Sequence, residues 1–345
     1  MAKSFNWGII GLGHIAKKFA EDLKVIESAT LHAVASRSTE RAKKFATDFS
    51  VANHFDSYEA ILSCPGLDAV YIATPHTSHC EIALMCLKKG IPVLCEKPFA
   101  MNASELKSMI DMAEQTNTFL MEGLWTRFLP SLNKALNIIR SGALGTLSFL
   151  EADFGFKAPF DPDRRLFNPN LGGGALMDVG IYPVFLSLLV LGYPKTIKAL
   201  ATFGKTNVDE TCGMLFGYEN QKMAVLHASI TANTTTKACF HGSKGRLRIN
   251  SRWHEPTSLT LMLDGEEPKD IFFEFDSLGY RYEAEELMRC VQKGKKESPF
   301  LPLGFSLKLM EVMDAVRAQA GIFYTKHDHP GRGKVLDKDK KFSWN

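Results

Sequence analysis

Phe5-Asn6-Trp7-Gly8-Ile9-Ile10-Gly11-Leu12-Gly13-His14-Ile15-Ala16 is the stretch that decides the fold. Its first half is a short apolar run, the pattern of a strand buried in a parallel sheet. Its second half is a G-x-G-x-x-A turn. Gly11 permits the tight bend, Gly13 lets the backbone approach a pyrophosphate, and Ala16 allows a helix to pack closely on the sheet. A helix over about 14–23, opening with His14 and Ile15, then offers its amino-terminal N–H groups to the phosphates. A glycine pattern alone is weak. Following a strand and opening a helix, it becomes a dinucleotide-binding signal.

The next strand, 29–35, ends in Ser36-Arg37-Ser38, with Arg41 one helical turn further on. An NAD site usually carries an acidic residue at this strand end to bind the ribose 2′-hydroxyl. No carboxylate occurs here before Glu40. Ser36, Arg37 and Arg41 instead suit a 2′-phosphate, so NADP rather than NAD is expected. A charge-assisted hydrogen bond contributes roughly 1.5–3 kcal/mol, which amounts to about two orders of magnitude in favour of NADP. The alternative is that both arginines merely solvate a helix start.

Further strands are expected at 67–73, 93–96 and 119–121, with helices over about 57–63, 78–88 and 102–116. The first of these strands runs into Thr74-Pro75-His76-Thr77-Ser78-His79. Two histidines three apart without a third ligand do not make a metal site; one of them is expected to line the pocket. The second strand stops at Glu96-Lys97-Pro98, because Pro98 has no N–H for a sheet ladder. Lys97 therefore sits at the carboxyl end of a strand, where open α/β sheets hold their ligands.

Composition agrees with an enzyme built this way. At 345 residues the chain is long enough for about two domains. Its 23% charged and 45% hydrophobic residues are ordinary for a soluble protein. A net charge of +3, with no basic run carrying interleaved aromatics, gives no reason to expect nucleic acid. No secretory signal pattern and no 18-residue apolar run is found; 181–191, broken by Pro183 and Ser187, reads as a core helix, so no membrane partner is expected. Seven cysteines without a CxxC pair read as reduced thiols of a cytoplasmic protein.

Beyond a connecting helix at 130–141, a strand over 146–156 alternates polar Glu151, Asp153 and Lys157 with apolar Leu150, Ala152, Phe154 and Phe156. The loop 158–170, rich in proline and charge, is either a substrate rim or an ordinary connection. After Gly172-Gly173-Gly174 come Asp178 and Tyr182, four apart and so on one face of a helix that Pro183 should kink near Val179. They form either a reactive pair or a capping aspartate beside a packed tyrosine. Short segments from 195 to 275, separated by turn signals, predict an antiparallel sheet, and an apolar outer face on it would favour a homodimer. Trp253 lines the pocket or packs a surface loop. Helices near 281–293 and 305–320 precede a polar tail.

Gly11-Leu12-Gly13-His14-Ile15-Ala16, Thr74-Pro75 with His79, and Glu96-Lys97-Pro98 together resemble the Gfo/Idh/MocA oxidoreductases. Glu122-Gly123-Leu124-Trp125-Thr126-Arg127-Phe128 and the stretch from Gly172 to Tyr182 resemble the dimeric dihydrodiol dehydrogenase branch, which includes NADP-dependent D-xylose dehydrogenases. The resemblance implies an amino-terminal Rossmann domain (1–126), a carboxyl-terminal α/β domain with a large open, mostly antiparallel sheet (127–322), and a tail (323–345). It implies hydride transfer between NADP and an alcohol or hemiacetal carbon of a cyclic diol or sugar. Lys97, Asp178 and Tyr182 would be catalytic, with Lys97 lowering the pKa of Tyr182. Thr74, Pro75, His79, Glu96, Lys97, Trp125 and Arg127 would join the cofactor site, and Trp125, Phe154, Asp178 and Trp253 the substrate pocket. The rival readings are a sugar or inositol dehydrogenase of another branch and a non-catalytic NADP-binding sensor.

Overall fold

Residues 4–328 are described by a computed structural model, and their strands fall into two sheets. The first half alternates β1 (Phe5–Ile10), α1 (His14–Leu23), β2 (Ala29–Ala35), α2 (Thr39–Phe49), β3 (Asn53–Phe55), β4 (Ala69–Ile72), α3 (His79–Lys88), β5 (Val93–Glu96), α4 (Ala103–Gln115) and β6 (Leu120–Gly123). These strands form a parallel sheet in the order β3-β2-β1-β4-β5-β6. Every residue of β4, β5 and β6 is buried, which is why their sequences are nearly unbroken apolar runs. Strand order reverses between β1 and β4, and the crevice at their carboxyl ends is where this topology binds ligands. Local caps set the helix starts: Ser38 Oγ accepts from Arg41 N at α2, and Asn102 Oδ1 from Glu105 N at α4.

The second half contains α5 (Pro130–Arg140), β7 (Leu147–Gly155), α6 (Ile181–Leu191), β8 (Thr196–Phe203), β9 (Asp209–Gly217), β10 (Met223–Ser229), β11 (Ala238–Gly242), β12 (Gly245–Ile249), β13 (Leu259–Leu263), β14 (Lys269–Ile271), α7 (Arg281–Gln292) and α8 (Leu303–Ala320). Its sheet runs β14-β13-β12-β11-β7-β10-β9-β8 and is antiparallel except for the pair β7–β10. A π-helical turn, Leu176–Gly180, leads directly into α6. The helical stretch 169–191 is long and apolar enough by composition to cross a membrane, yet most of it is buried inside the fold. Leu200, Leu215 and Met223 are exposed together on the outer face of β8–β10.

The chain does not leave the first half behind. Leu120 N of β6 donates to Lys296 O at 3.2 Å, and α8 packs on α4 and β6 as well as on β8 and α6.

Several expectations need correction. Residues 57–63 form only a 3-10 turn, Ala60–Ser63, and the last strand stops at Ile271 rather than 275. The short edge strand β3 was not expected. The first residues of the expected tail are tied down: Tyr324 is buried with its hydroxyl donating to Gly173 O at 2.7 Å, and Asp328 pairs with Arg317. The remainder of the tail, 329–345, lies outside the described residues. All seven cysteines are free, as the missing CxxC pattern led us to expect.

Candidate active site

A cleft of about 630 Å³ opens over the carboxyl ends of the parallel strands and reaches the start of α6. Its near end is the glycine turn. Gly11 has φ +90°, and a Cβ there would lie 2.7 Å from Thr74 and 2.9 Å from the backbone of Ala73, so only glycine closes this bend. A Cβ on Gly13 would meet nothing within 4 Å, leaving the backbone open to the cleft. Among the described residues no side chain caps α1, so its amino-terminal N–H groups remain for an anion. Ser36, Arg37, Ser38 and Arg41 line the adjoining wall, where Arg37 lies 5.8 Å from the ring of Tyr58. An open glycine backbone and an uncapped helix start fit a dinucleotide, with two guanidinium groups on the adjoining wall.

The far end is built from three parts of the chain. β5 delivers Glu96 and Lys97. Glu96 is buried, hydrogen-bonded to the Tyr71 hydroxyl, and accepts from Lys97 N at 3.1 Å. Burial raises its pKa against the opposing charge of Lys97. Lys97 Nζ donates to Asp178 O at 2.7 Å, lies 3.7 Å from Asp178 Oδ1, and sits 4.8 Å from the centre of the Tyr182 ring. The segment after β6 brings Trp125, whose indole N–H donates to Tyr182 Oη at 2.9 Å and whose ring stacks on Tyr280 at 4.3 Å. The π-helical turn supplies Asp178, and α6 supplies Tyr182.

The charges at this end have definite causes. For Asp178, burial alone would raise the pKa, but Arg165 at 2.5 Å and then Lys97 outweigh it and hold the carboxyl well below its usual range. Burial pulls Lys97 below its ordinary value, with Asp178 and Glu96 opposing. Burial, then the charge of Glu96, pushes the Tyr182 phenol well above its ordinary value, partly offset by the Trp125 hydrogen bond. The expected lowering of the phenol by Lys97 does not prevail. His76 is buried and held neutral chiefly by desolvation.

Of the residues expected at the site, Gly11, Gly13, His14, Ile15, Ser36, Arg37, Arg41, Thr74, Pro75, Glu96, Lys97, Trp125, Asp178 and Tyr182 all line this one cleft. Four do not. His79 is fully buried beneath it, its two ring nitrogens bonded to Thr74 O and Pro98 O at 2.9 Å, so it shapes the floor and has no nitrogen left for a ligand. Arg127 points away, donating to Phe300 O and Asn133 Oδ1. Trp253 is fully buried with its N–H on Asp153 O, packed edge-on to Tyr182 at 6.4 Å. Phe154 stands behind Tyr182 at 5.4 Å and stacks on His254. Tyr58, His76, Arg165 and Tyr280 join the lining, with Leu12, Ser38 and Ala73. His76 was one of two candidates by spacing; Tyr58 and Tyr280 carry no local signal, and Arg165 only its place in a charged loop before the glycines.

A Rossmann half whose cleft leads from a phosphate cradle to a lysine–tyrosine–aspartate cluster defines a nucleotide-dependent oxidoreductase. The chain belongs to the Gfo/Idh/MocA family: the oxidoreductase family model with an NAD-binding Rossmann fold matches residues 5–124, and the GFO/IDH/MocA carboxyl-terminal domain matches 132–248. It is 34% identical to trans-1,2-dihydrobenzene-1,2-diol dehydrogenase of Xenopus tropicalis, over 92% of this chain and 99% of that protein. In fold it is similar to the 3-ketoreductase KijD10 of Actinomadura kijaniata, solved with NADP and TDP-benzene (TM-score 0.85, 24% identity, 92% of this chain and 98% of that one). The aldose-aldose oxidoreductase of Caulobacter crescentus, solved with glycerol, is similar to the same extent (TM-score 0.83, 24% identity, 92% and 98%).

Proposed function

We propose that this oxidoreductase is an NADP-dependent dehydrogenase that interconverts a secondary or hemiacetal alcohol and its carbonyl on a cyclic diol or a sugar. One observation carries the reading: an ammonium from the parallel sheet lies 4.8 Å from the ring centre of a tyrosine from the second half, in the cleft that begins at the glycine turn. The names of the relatives support the diol and sugar classes.

Ser36, Arg37 and Arg41 would hold the 2′-phosphate, Gly11, Gly13, His14 and Ile15 the pyrophosphate, and Thr74, Pro75, Glu96 and Trp125 the nicotinamide end. The cofactor, when bound, supplies or accepts a hydride at C4 of its nicotinamide. Proton transfer falls to Tyr182. The indole N–H of Trp125 is donor-only, so Tyr182 Oη accepts from it and keeps its own proton free for the cleft. Burial keeps that phenol protonated, ready to donate to the oxygen of a carbonyl being reduced, and the same group takes the proton back in the reverse direction. Lys97 stabilises negative charge developing on that oxygen. Asp178, with backbone and side-chain oxygens on Lys97, positions the ammonium. Leu200, Leu215 and Met223 on the outer sheet face support a homodimer, and the free thiols support a cytoplasmic location.

The test is the change in nicotinamide absorbance with NADP⁺ and a panel of dihydrodiols, pentoses, hexoses and inositols. Turnover of diols or aldoses is expected. Tight NADP⁺ binding with silence across the panel would refute the dehydrogenase and leave the sensor reading.

A further inference from the structure

The face of β7 that carries Glu151 holds a second cluster of reactive side chains, outside the cleft. The Glu151 side chain is 55% exposed, while its neighbours Leu150 and Ala152 are buried in the core. In the β7–β11 ladder Glu151 stands opposite Cys239, and Phe149 opposite His241. Residues two apart on a strand share a face, so this register sets a carboxylate, a thiol and an imidazole side by side. It is the face on which Leu215 lies, since Glu151 pairs with Val225 and Val225 with Leu215. Glu151 and His241 are 90 residues apart in the chain, so no short spacing motif joins them.

The ligand atoms of Glu151, Cys239 and His241 all lie within 4.8 Å of one another, and among the described residues no other three such side chains converge so closely. His241 Nε2 is 3.3 Å from Glu151 Oε1. A tetrahedral ion with N and O bonds of about 2.0–2.1 Å sets its ligand atoms about 3.3–3.4 Å apart, and a sulfur ligand about 3.6 Å from the other two. The nitrogen and oxygen already have that separation. The widest gap has about 1.2 Å or less to close, within reach of rotation about the side-chain bonds of half-exposed Glu151. Phe149 braces the His241 ring at 5.6 Å. Cys239, only 8% exposed, closes the inner side, which leaves the fourth position of a tetrahedron toward solvent.

We infer that Glu151, Cys239 and His241 bind one zinc ion on the outer face of the second sheet, with water as the fourth ligand. The inference stands independently of the reading of the cleft. A thiolate, an imidazole and one carboxylate oxygen form a zinc donor set, whereas Mg²⁺ and Ca²⁺ require oxygen ligands and gain nothing from sulfur. Arg248 and Arg246 face the cluster from β12, opposite Cys239 and His241. Their guanidinium groups are engaged, Arg248 with Asn250 and Thr260 and Arg246 with Met262, but their charge still opposes a cation. Three protein ligands against that field set a Kd of about 1 μM, far weaker than a four-ligand structural site. Bound there, the ion clamps β7 to β11.

The experiment titrates Co²⁺, a spectroscopic stand-in for zinc, into the full chain kept reduced with a phosphine under anaerobic conditions. One equivalent should bind, with a thiolate-to-cobalt charge-transfer band in the near ultraviolet and visible bands of tetrahedral intensity. An equivalent of Zn²⁺ should remove both, and millimolar Mg²⁺ or Ca²⁺ neither. Cys239→Ser should abolish the charge-transfer band. Zinc affinity is read by competition with a chromophoric chelator. Losing a partner outside the ligand shell already costs about 10–100-fold, so Glu151→Gln and His241→Ala, which remove direct ligands, should each weaken zinc at least about a hundredfold. A charge-transfer band that persists in Cys239→Ser, visible bands of octahedral intensity alone, or no binding by about 1 mM Co²⁺ overturns the inference. If Cys239→Ser fails to fold, Glu151→Gln decides, because that side chain is exposed and the amide keeps its shape. The hundredfold loss in that variant supports the site, and unchanged zinc affinity overturns it.

Discussion

Replacing Lys97 by methionine removes the ammonium and keeps the length of the stem. The structure sets what should be lost. The 2.7 Å hydrogen bond to Asp178 O and the cation 4.8 Å from the Tyr182 ring both disappear, at a side chain only 13% exposed. Asp178 keeps its Arg165 partner at 2.5 Å, and Glu96, though it loses the Lys97 charge, keeps its hydrogen bonds from the Tyr71 hydroxyl and Lys97 N, so the direct cost to folding is that of one hydrogen bond, about 1 kcal/mol. The catalytic cost is larger. A positioned group that handles a proton or the charge beside it contributes about 10²–10⁴-fold, or roughly 2.7–5.5 kcal/mol of barrier. The phosphate cradle at Gly11, Gly13 and Arg37 lies at the other end of the cleft, so NADPH affinity should stay within about threefold, less than 1 kcal/mol. Turnover is followed by nicotinamide absorbance with a diol or aldose, and NADPH affinity by fluorescence titration. Wild-type kcat/KM in this variant, or a loss of NADPH affinity as large as the loss of kcat/KM, would refute the placement of Lys97 at the reacting oxygen.

Arg37→Ala with Arg41→Ala should cut the preference for NADP over NAD by about 10²-fold with kcat on saturating NADP little changed; an unaltered cofactor ratio would return both arginines to the role of surface charges. Glu122, buried and accepting from Ser306 Oγ, has its pKa raised by burial to about 7. The folded state therefore holds this proton more tightly than the unfolded chain, and stability should fall as pH rises from about 4.5 to about 7, by up to about 3 kcal/mol, then level off. Glu122→Gln should flatten that slope in urea titrations across the range; an unchanged slope counts against the assignment. Glu283 is fully buried with neither carboxyl oxygen hydrogen-bonded among the described residues, and burial together with Glu96 raises its pKa well above normal. Glu283→Met should leave the protein as stable or more stable, by up to about 2 kcal/mol at pH 7, whereas a clear loss of stability on denaturant titration would show that the acid makes a needed interaction.

The parallel half of the fold was legible because its signals are local. A buried strand, a glycine turn and a helix start follow one another within twelve residues from Phe5 to Ala16, and the strand ends at Thr74 and Lys97 are marked by prolines. The antiparallel segments were legible from turn spacing. The parallel β7–β10 pair was not, since its partners lie some seventy residues apart and the pairing is set by how α6 and the β8–β9 hairpin fold between them. Asp178 and Tyr182 were found by an i, i+4 argument that the structure modifies: a π-helical turn at Leu176–Gly180 joins α6 just before Pro183, where a simple kink was expected. His79 and Arg127 sit in the right motifs and turn the wrong way, because a motif fixes where the backbone goes and packing decides which side of it a ring or guanidinium occupies. Tyr280 reaches the cleft through tertiary stacking on Trp125, for which no sequence periodicity exists.

The return of residues 295–320 to the nucleotide-binding half has a practical consequence for anyone wishing to transplant it. A chain cut after residue 126 would strip the Leu120 amide of its acceptor on Lys296 and bare the flanks of α4 and β6 that α8 covers. The amino-terminal module is not a detachable cassette, and a chimera that exchanges cofactor preference with a relative should carry the carboxyl-terminal helix along with the first six strands.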